Sequence, residues 1–173
     1  MTHAPVHIRP MVQSDLPGVQ ALHLESWRRS YAGLLPDAFL AGSVVDEMAG
    51  RWAGLPAAHD VALVAEHAGT LAGFALVYAN HADGPMMESL HVRADRQGKG
   101  TGRHLMAGVA RALIRRGHDH LWLEVMAGNG AARRIYARWG GVESWPFKDI
   151  IAGQPVMAVR VRWASLRPLE ALA

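Results

Sequence analysis

The residues best suited to chemistry lie between Glu88 and Tyr136. Glycines at 98, 100 and 102 sit in a basic loop, between a strand-like apolar run that stops at Val92 and a helical pattern that opens by Leu105. Three glycines in five positions let backbone N–H groups converge on one point, and a helix N-terminus adds its positive dipole end. Arg93, Arg96, Lys99 and Arg103 ring the turn. Such a place holds phosphate oxygens. Two carboxylates lie nearby, Glu88 on the strand before the loop and Glu124 on the next strand. Either could serve as a general base.

Two familiar phosphate motifs fail on spacing. A P-loop needs Gly-Lys followed by Ser or Thr, but Gly98-Lys99 is followed by Gly100, and Arg93 stands where the earlier glycine belongs. A dinucleotide fingerprint needs G-x-G-x-x-G in the first strand–helix unit, whereas these glycines are spaced two and two, late in the chain. There is no cysteine, so thiol nucleophiles, disulfides and thiolate metal sites are excluded. None of the ten histidines pairs at i, i+4 with a third ligand, so no metal is expected. A net charge of +3 is too small to argue for nucleic acid. No apolar run approaches membrane-spanning length, and the first residues lack a signal-peptide pattern. A cytoplasmic protein that engages neither membrane nor nucleic acid is expected.

The positioning elements follow from periodicity. The chain has 173 residues, half of them hydrophobic, which suits one domain over 1–173. Val6 to Arg9 reads as an edge strand. A helix follows from Ser14-Asp15, carrying Leu16, Val19, Leu22 and Trp27 to about Ser30. A second helix runs through Phe39 and Leu40, and a weaker one through Asp46 to Trp52. Val61–Glu66 and Leu71–Ala79 form a hairpin about His67–Thr70, and Met86–Val92 feeds the loop. The helix after the loop buries Leu105, Met106, Val109 and Leu113. Leu121–Met126 is a strand, 130–139 a helix, and strands near Val142–Trp145 and Val156–Trp163 finish the chain. Hairpins plus two crossover helices imply a mixed sheet of about seven strands. The strand at Val156–Trp163 is available to pair across a homodimer.

Gln97-Gly98-Lys99-Gly100-Thr101-Gly102 resembles the Q/R-x-x-G-x-G/A element of the GNAT superfamily of N-acetyltransferases. Leu123, Val125, Asn129, Ala132 and Tyr136 resemble the family's next strand and helix, L-x-V-x-x-x-N-x-x-A-x-x-x-Y. Gly140-Gly141 follows where the family usually has Gly-Phe. Ile8-Arg9-Pro10 with Asp15-Leu16-Pro17 is a typical start. Ser26 to Leu40, SWRRSYAGLLPDAFL, resembles the region of one subgroup that borders the acceptor site.

The resemblance implies a GNAT fold: a mostly antiparallel central sheet with one splayed parallel strand pair and flanking helices. It implies acetyl-CoA as donor and a primary amine of a small molecule or peptide as acceptor, joined by direct attack in a ternary complex. The pyrophosphate would rest on Gln97 to Gly102, with Arg103 beside it. Pantetheine would pair with backbone near Leu90, His91 and Val92, and Val92 N–H would polarise the thioester carbonyl. Asn129, Ala132 and Arg133 would flank the donor, although Asn129 also suits a helix N-cap. Tyr136 would serve the leaving thiolate, Glu88 or Glu124 would be the base, and Trp27, Tyr31 and Glu88 would border the acceptor. The position of Glu124, twelve residues before Tyr136, also resembles the branch that acetylates ribosomal-protein N-termini. A non-catalytic acyl-CoA sensor stays open as well.

Overall fold

The computed structural model describes residues 5–151 and 153–173. The signal-peptide reading falls partly on residues 1–4, outside that range. The strands are β1 (Val6–Pro10), β2 (Val61–His67), β3 (Thr70–Tyr78), β4 (Met86–Val92), β5 (Leu121–Met126), β6 (Val142–Glu143), β7 (Phe147–Ile151) and β8 (Gln154–Trp163). The helices are α1 (Leu16–Ser30), α2 (Asp37–Ala41), α3 (Val44–Arg51), α4 (Thr101–Arg115), α5 (Gly130–Arg138) and α6 (Arg167–Glu170). One eight-stranded sheet runs β1-β2-β3-β4-β5-β8-β6, with β7 also pairing β8. Every pair is antiparallel except β4–β5.

Two elements correct the sequence reading. β7, FKDII, was not expected. It alternates half-buried with exposed residues and carries Lys148 and Asp149, so it lacks the apolar run that marks a strand. Its pairing with β8 makes eight strands rather than seven. β8 in turn has β5 along one edge and β6 with β7 along the other. Over Ala158–Trp163 that strand is paired with β5, and Gln154–Met157 have no β5 ladder partner. The short C-terminal α6 was also unread.

Helices cover both faces. α4 presents Leu105, Met106, Val109 and Leu113 to a core shared with Val77, Met87, Leu123 and Val161. On the opposite face α1 buries Leu16, Val19 and Leu22 against Val64, Phe74 and Leu76. α2 and α3 enclose Trp27, Phe39, Leu40 and Met48 beside Met126.

The sheet is interrupted at its centre. Parallel pairing of β4 with β5 covers only Met86↔Trp122 and Met87↔Leu123. Opposite, β4 pairs β3 through Leu76↔Ser89 and Val77↔Met87, so Glu88 is the extra residue of a β-bulge. The bulge bends β4 away from β5, and the two strands part from Glu88 and Glu124 onward. This is the splayed parallel pair that the sequence led one to expect.

Candidate active site

Strand alternation decides which backbone groups line the split. Arg93 N–H donates to Ala72 on β3. Leu90 and Val92 therefore turn their amides and carbonyls toward the β5 side, where ladder pairing has ended. His91 alternates to the β3 edge, opposite Phe74. Of the three β4 residues expected at the donor, His91 is thus turned away.

Past Val92 a 3-10 turn, Ala94–Arg96, leads into the glycine loop. Gly98 has φ +72° and Gly100 φ +88°, the left-handed region in which a Cβ is strained. Gly100 is the N-cap of α4, and the first turn of that helix carries no acidic residue. Thr101 Oγ1 at the start of α4 is buried without a hydrogen-bond partner. Free helix N–H groups, a left-handed glycine turn and an orphaned hydroxyl fit a phosphate chain. At Gly102 an added Cβ would meet Trp139 and Val92 at 3.5 and 3.8 Å, ordinary contact, so this glycine faces packed side chains instead of the cradle. Gln97 Nε2 donates to Val92 O at 3.2 Å and ties loop to strand end.

The basic residues divide. Arg93 pairs with Asp95 at 2.6 Å and Arg96 lies 3.2 Å from His67, so both brace the loop. Lys99 is exposed, and the Arg103 guanidinium reaches back over Gly100. Arg133, expected beside the donor, grips both oxygens of Glu143 at 2.9 and 2.7 Å and Ala127 O at 2.7 Å. It fastens α5 to the strand that follows.

Asn129 caps α5, its Oδ1 accepting from Ala132 N at 3.2 Å. The N-cap alternative therefore holds, and it orients the helix that carries Tyr136. Tyr136 is half-buried, edge-on to Trp139 and Trp163 at centroid distances of 6.1 and 5.8 Å. Desolvation raises its phenol above the usual value, Tyr31 adds to the rise, and no hydrogen bond offsets it. A phenol that holds its proton this firmly remains a hydroxyl at neutral pH. It stabilises a thiolate by donating a hydrogen bond more readily than by giving up the proton.

The two carboxylates flank the split, each one residue beyond the last β4–β5 pair. Glu88 is half-buried and ion-paired with Arg51 of α3. Glu124 is exposed and bonded to Arg160, its cross-strand neighbour on β8, at 2.9 Å. Arg160 also stacks 4.0 Å over the Trp122 ring and reaches Asp83 at 3.4 Å. Glu124 thus belongs to a surface network at one end of the split. Glu88 opens onto a hollow of about 510 Å³ lined by Asp46, Glu47, Gly50, Arg51, Tyr78 and Glu88. A larger hollow of about 750 Å³, about Trp139, Val142 and Trp163, lies by the start of β5 and contains neither carboxylate.

Trp27, expected to border the acceptor, is only 6% exposed and belongs to the core between α1 and α2. Helical spacing puts it on the sheet-facing side with His23. Tyr31 ends α1 half-buried, edge-on to Trp27 at 5.0 Å, and desolvation raises its phenol too. Beneath the acceptor wall, Trp52 Nε1 donates to His23 Nδ1 at 2.9 Å, so the proton of a neutral His23 sits on Nε2. His91 Nδ1 lies 2.7 Å from Ser26 Oγ. Burial pushes His23 down to about 2, and desolvation pushes His91 down to about 3. Arg51 and Tyr78 were not singled out from sequence. α3 is short and weakly periodic, and nothing local marks a residue whose partner lies on a distant strand.

The fold is a mixed sheet split at its one parallel pair, with a left-handed glycine turn and a helix start beside the split. A model of the acetyltransferase (GNAT) family matches residues 21–141. The chain belongs to that family. It is 42% identical over 73 residues to streptothricin acetyltransferase of Streptomyces lavendulae, a stretch that spans 42% of this chain and 39% of that protein. PaiA N-acetyltransferase from Thermoplasma acidophilum, solved with coenzyme A, superposes with a TM-score of 0.69 at 18% identity, covering 92% of this chain and 99% of that one. Ribosomal-protein-alanine N-acetyltransferase from Brucella melitensis gives 0.65 at 21% identity, covering 91% and 98%. No helix among the described residues is long and apolar enough to cross a membrane, and no group of three or more His, Asp or Glu among them could hold a metal ion.

Proposed function

We propose that the protein transfers the acetyl group of acetyl-CoA to the primary amine of a small cationic acceptor, by direct attack while both are bound. The observation that carries this is the position of Glu88. It stands at the apex of the β4–β5 split, between the glycine loop side and a hollow with three carboxylates and one guanidinium. Bound at the split, acetyl-CoA supplies an activated thioester carbonyl. The chain's own groups do the rest. Backbone N–H groups from Gln97 to Gly102 hold the pyrophosphate, each charge-assisted bond worth about 1.5–3 kcal/mol. Leu90 and Val92 align the pantetheine arm, and Val92 N–H polarises the carbonyl. Glu88 takes the ammonium proton, the freed amine attacks the carbonyl carbon, and the C–S bond breaks as the second proton shed by the attacking nitrogen passes to the sulfur, which leaves as the thiol. Tyr136 donates a hydrogen bond to the departing sulfur.

Two features support a small cationic acceptor over a protein N-terminus. The hollow carries a net negative charge, and a relative named for streptothricin aligns over part of the chain. Thiol release from acetyl-CoA, followed across polyamines, aminoglycosides, amino acids and N-terminal peptides, tests the reading. The fastest release is expected with amines carrying further positive charge. Faster release with peptides overturns the acceptor class. Coenzyme A binding without release from any amine overturns catalysis in favour of a sensor.

A further inference from the structure

The hollow between α3 and the β4 bulge holds charges that do not balance. Asp46, Glu47 and Glu88 line it against a single guanidinium, Arg51. Arg51 reaches two of those carboxylates. Nη1 pairs with Glu88 Oε1, and Nη2 lies 3.3 Å from Glu47 Oε1, one helical turn back. Its Nε is buried with no acceptor. A guanidinium donates through five N–H groups in a rigid plane, and one stretched between a strand carboxylate and a helix carboxylate leaves part of that plane unsatisfied. Both stations lie within reach of one side chain. Exchange between them needs rotation of Arg51 and no backbone movement.

Glu88 is where the acceptor nitrogen arrives in the proposed function, on which this inference rests. An ammonium approaching Glu88 finds Arg51 already there. Two cations crowded on one carboxylate, with a second carboxylate under-used one turn away, is an unfavourable distribution of charge. We infer that Arg51 is a displaceable counter-ion for Glu88, driven onto Glu47 when a cationic acceptor binds. In the free enzyme it positions the Glu88 carboxylate at the apex of the split. On binding, its departure exchanges one cation for another, so an acceptor without positive charge is selected against.

Steady-state kinetics with the amine that releases thiol fastest test this. Arg51→Gln removes the competitor, and KM is expected to fall about two- to fivefold, the scale of a half-exposed ion pair. Glu47→Gln removes the second station, and KM is expected to rise by a similar factor. In the double variant the Glu47→Gln effect is expected to vanish, since no Arg51 remains to be received. Arg51→Lys keeps a cation without the fork and is expected to bring KM back toward wild type. KM moving the same way in both single variants overturns the displacement, as does a Glu47→Gln effect that persists without Arg51. Should Arg51→Gln fail to fold, an unchanged KM in Glu47→Gln overturns it alone. No thiol release by the wild-type enzyme with any amine overturns the proposed function and this inference together. Turnover with uncoupled KM values overturns only the inference.

Discussion

The side of the β4–β5 split proposed for the donor comes from one nearly continuous stretch, Leu90 to His104, and is mostly backbone. The side proposed for the acceptor is assembled from α3, β3 and β4 and is built of side chains: Asp46, Glu47, Arg51, Tyr78 and Glu88. Pyrophosphate and pantetheine are the same in every turnover, so fixed amides and a glycine turn suffice to hold them. An amine acceptor is distinguished by its charge and shape, which only side chains can read. In the proposed reaction the split separates a generic half from a selective half along one strand. Glu88 is the residue where they meet.

Four measurements would break or sharpen that contrast. The largest effect is expected from Glu88→Gln, which removes the base at the apex. kcat/KM should fall about 10²–10⁴-fold, and Glu124→Gln, which disturbs only the Arg160 network, should cost less than about tenfold. A reversed ranking would move the base to β5. Tyr136→Phe comes next. Losing one hydrogen bond to a developing thiolate should lower kcat about ten- to hundredfold, with coenzyme A affinity by calorimetry nearly unchanged. Unaltered kcat would remove Tyr136 from the chemistry.

Gly100→Val tests the donor half alone. A β-branched residue at φ +88° is strained by about 1–3 kcal/mol, so coenzyme A should bind about ten- to hundredfold more weakly. Undiminished binding in the folded variant would sink the loop assignment. The smallest effect concerns the layer under the acceptor half. His23 falls from 6.5 to about 2 on folding, so the unfolded chain binds its proton more readily than the folded one. That contribution to stability is complete above about pH 6.5 and is lost as pH drops toward the folded value. Between pH 6.5 and 5 the loss from His23 is about 2 kcal/mol, and His91 acts in the same direction. Denaturant midpoints across that range measure it, and His23→Gln should flatten the slope. A slope unchanged in that variant would remove His23 from the acid sensitivity.

How much of this was legible follows the same division. Gly98 and Gly100 could be read because a left-handed turn restricts residue type, and Asn129 and Tyr136 because helical spacing fixes their relation. Met86–Val92 and Leu121–Met126 could be read as strands from their apolar runs, and their place as a splayed parallel pair followed from the family resemblance. The partners of Arg133 and Trp27 were not legible, because residue type and position do not reveal them: one met Glu143, the other the α1–α2 core. β7 escaped notice because its stability comes from β8 and not from its own five residues.

The amino-acid sequence by itself determined the donor loop, the family and the two carboxylates that could act. Those rest on local rules, a backbone conformation or a periodicity that a few neighbouring residues enforce. Only the tertiary structure gave the two carboxylates different surroundings, Glu124 beside Arg160 and Glu88 beside Arg51. The latter ion pair joins residues 37 positions apart, across a helix and a bulged strand, and its existence depends on how α3 packs over the sheet.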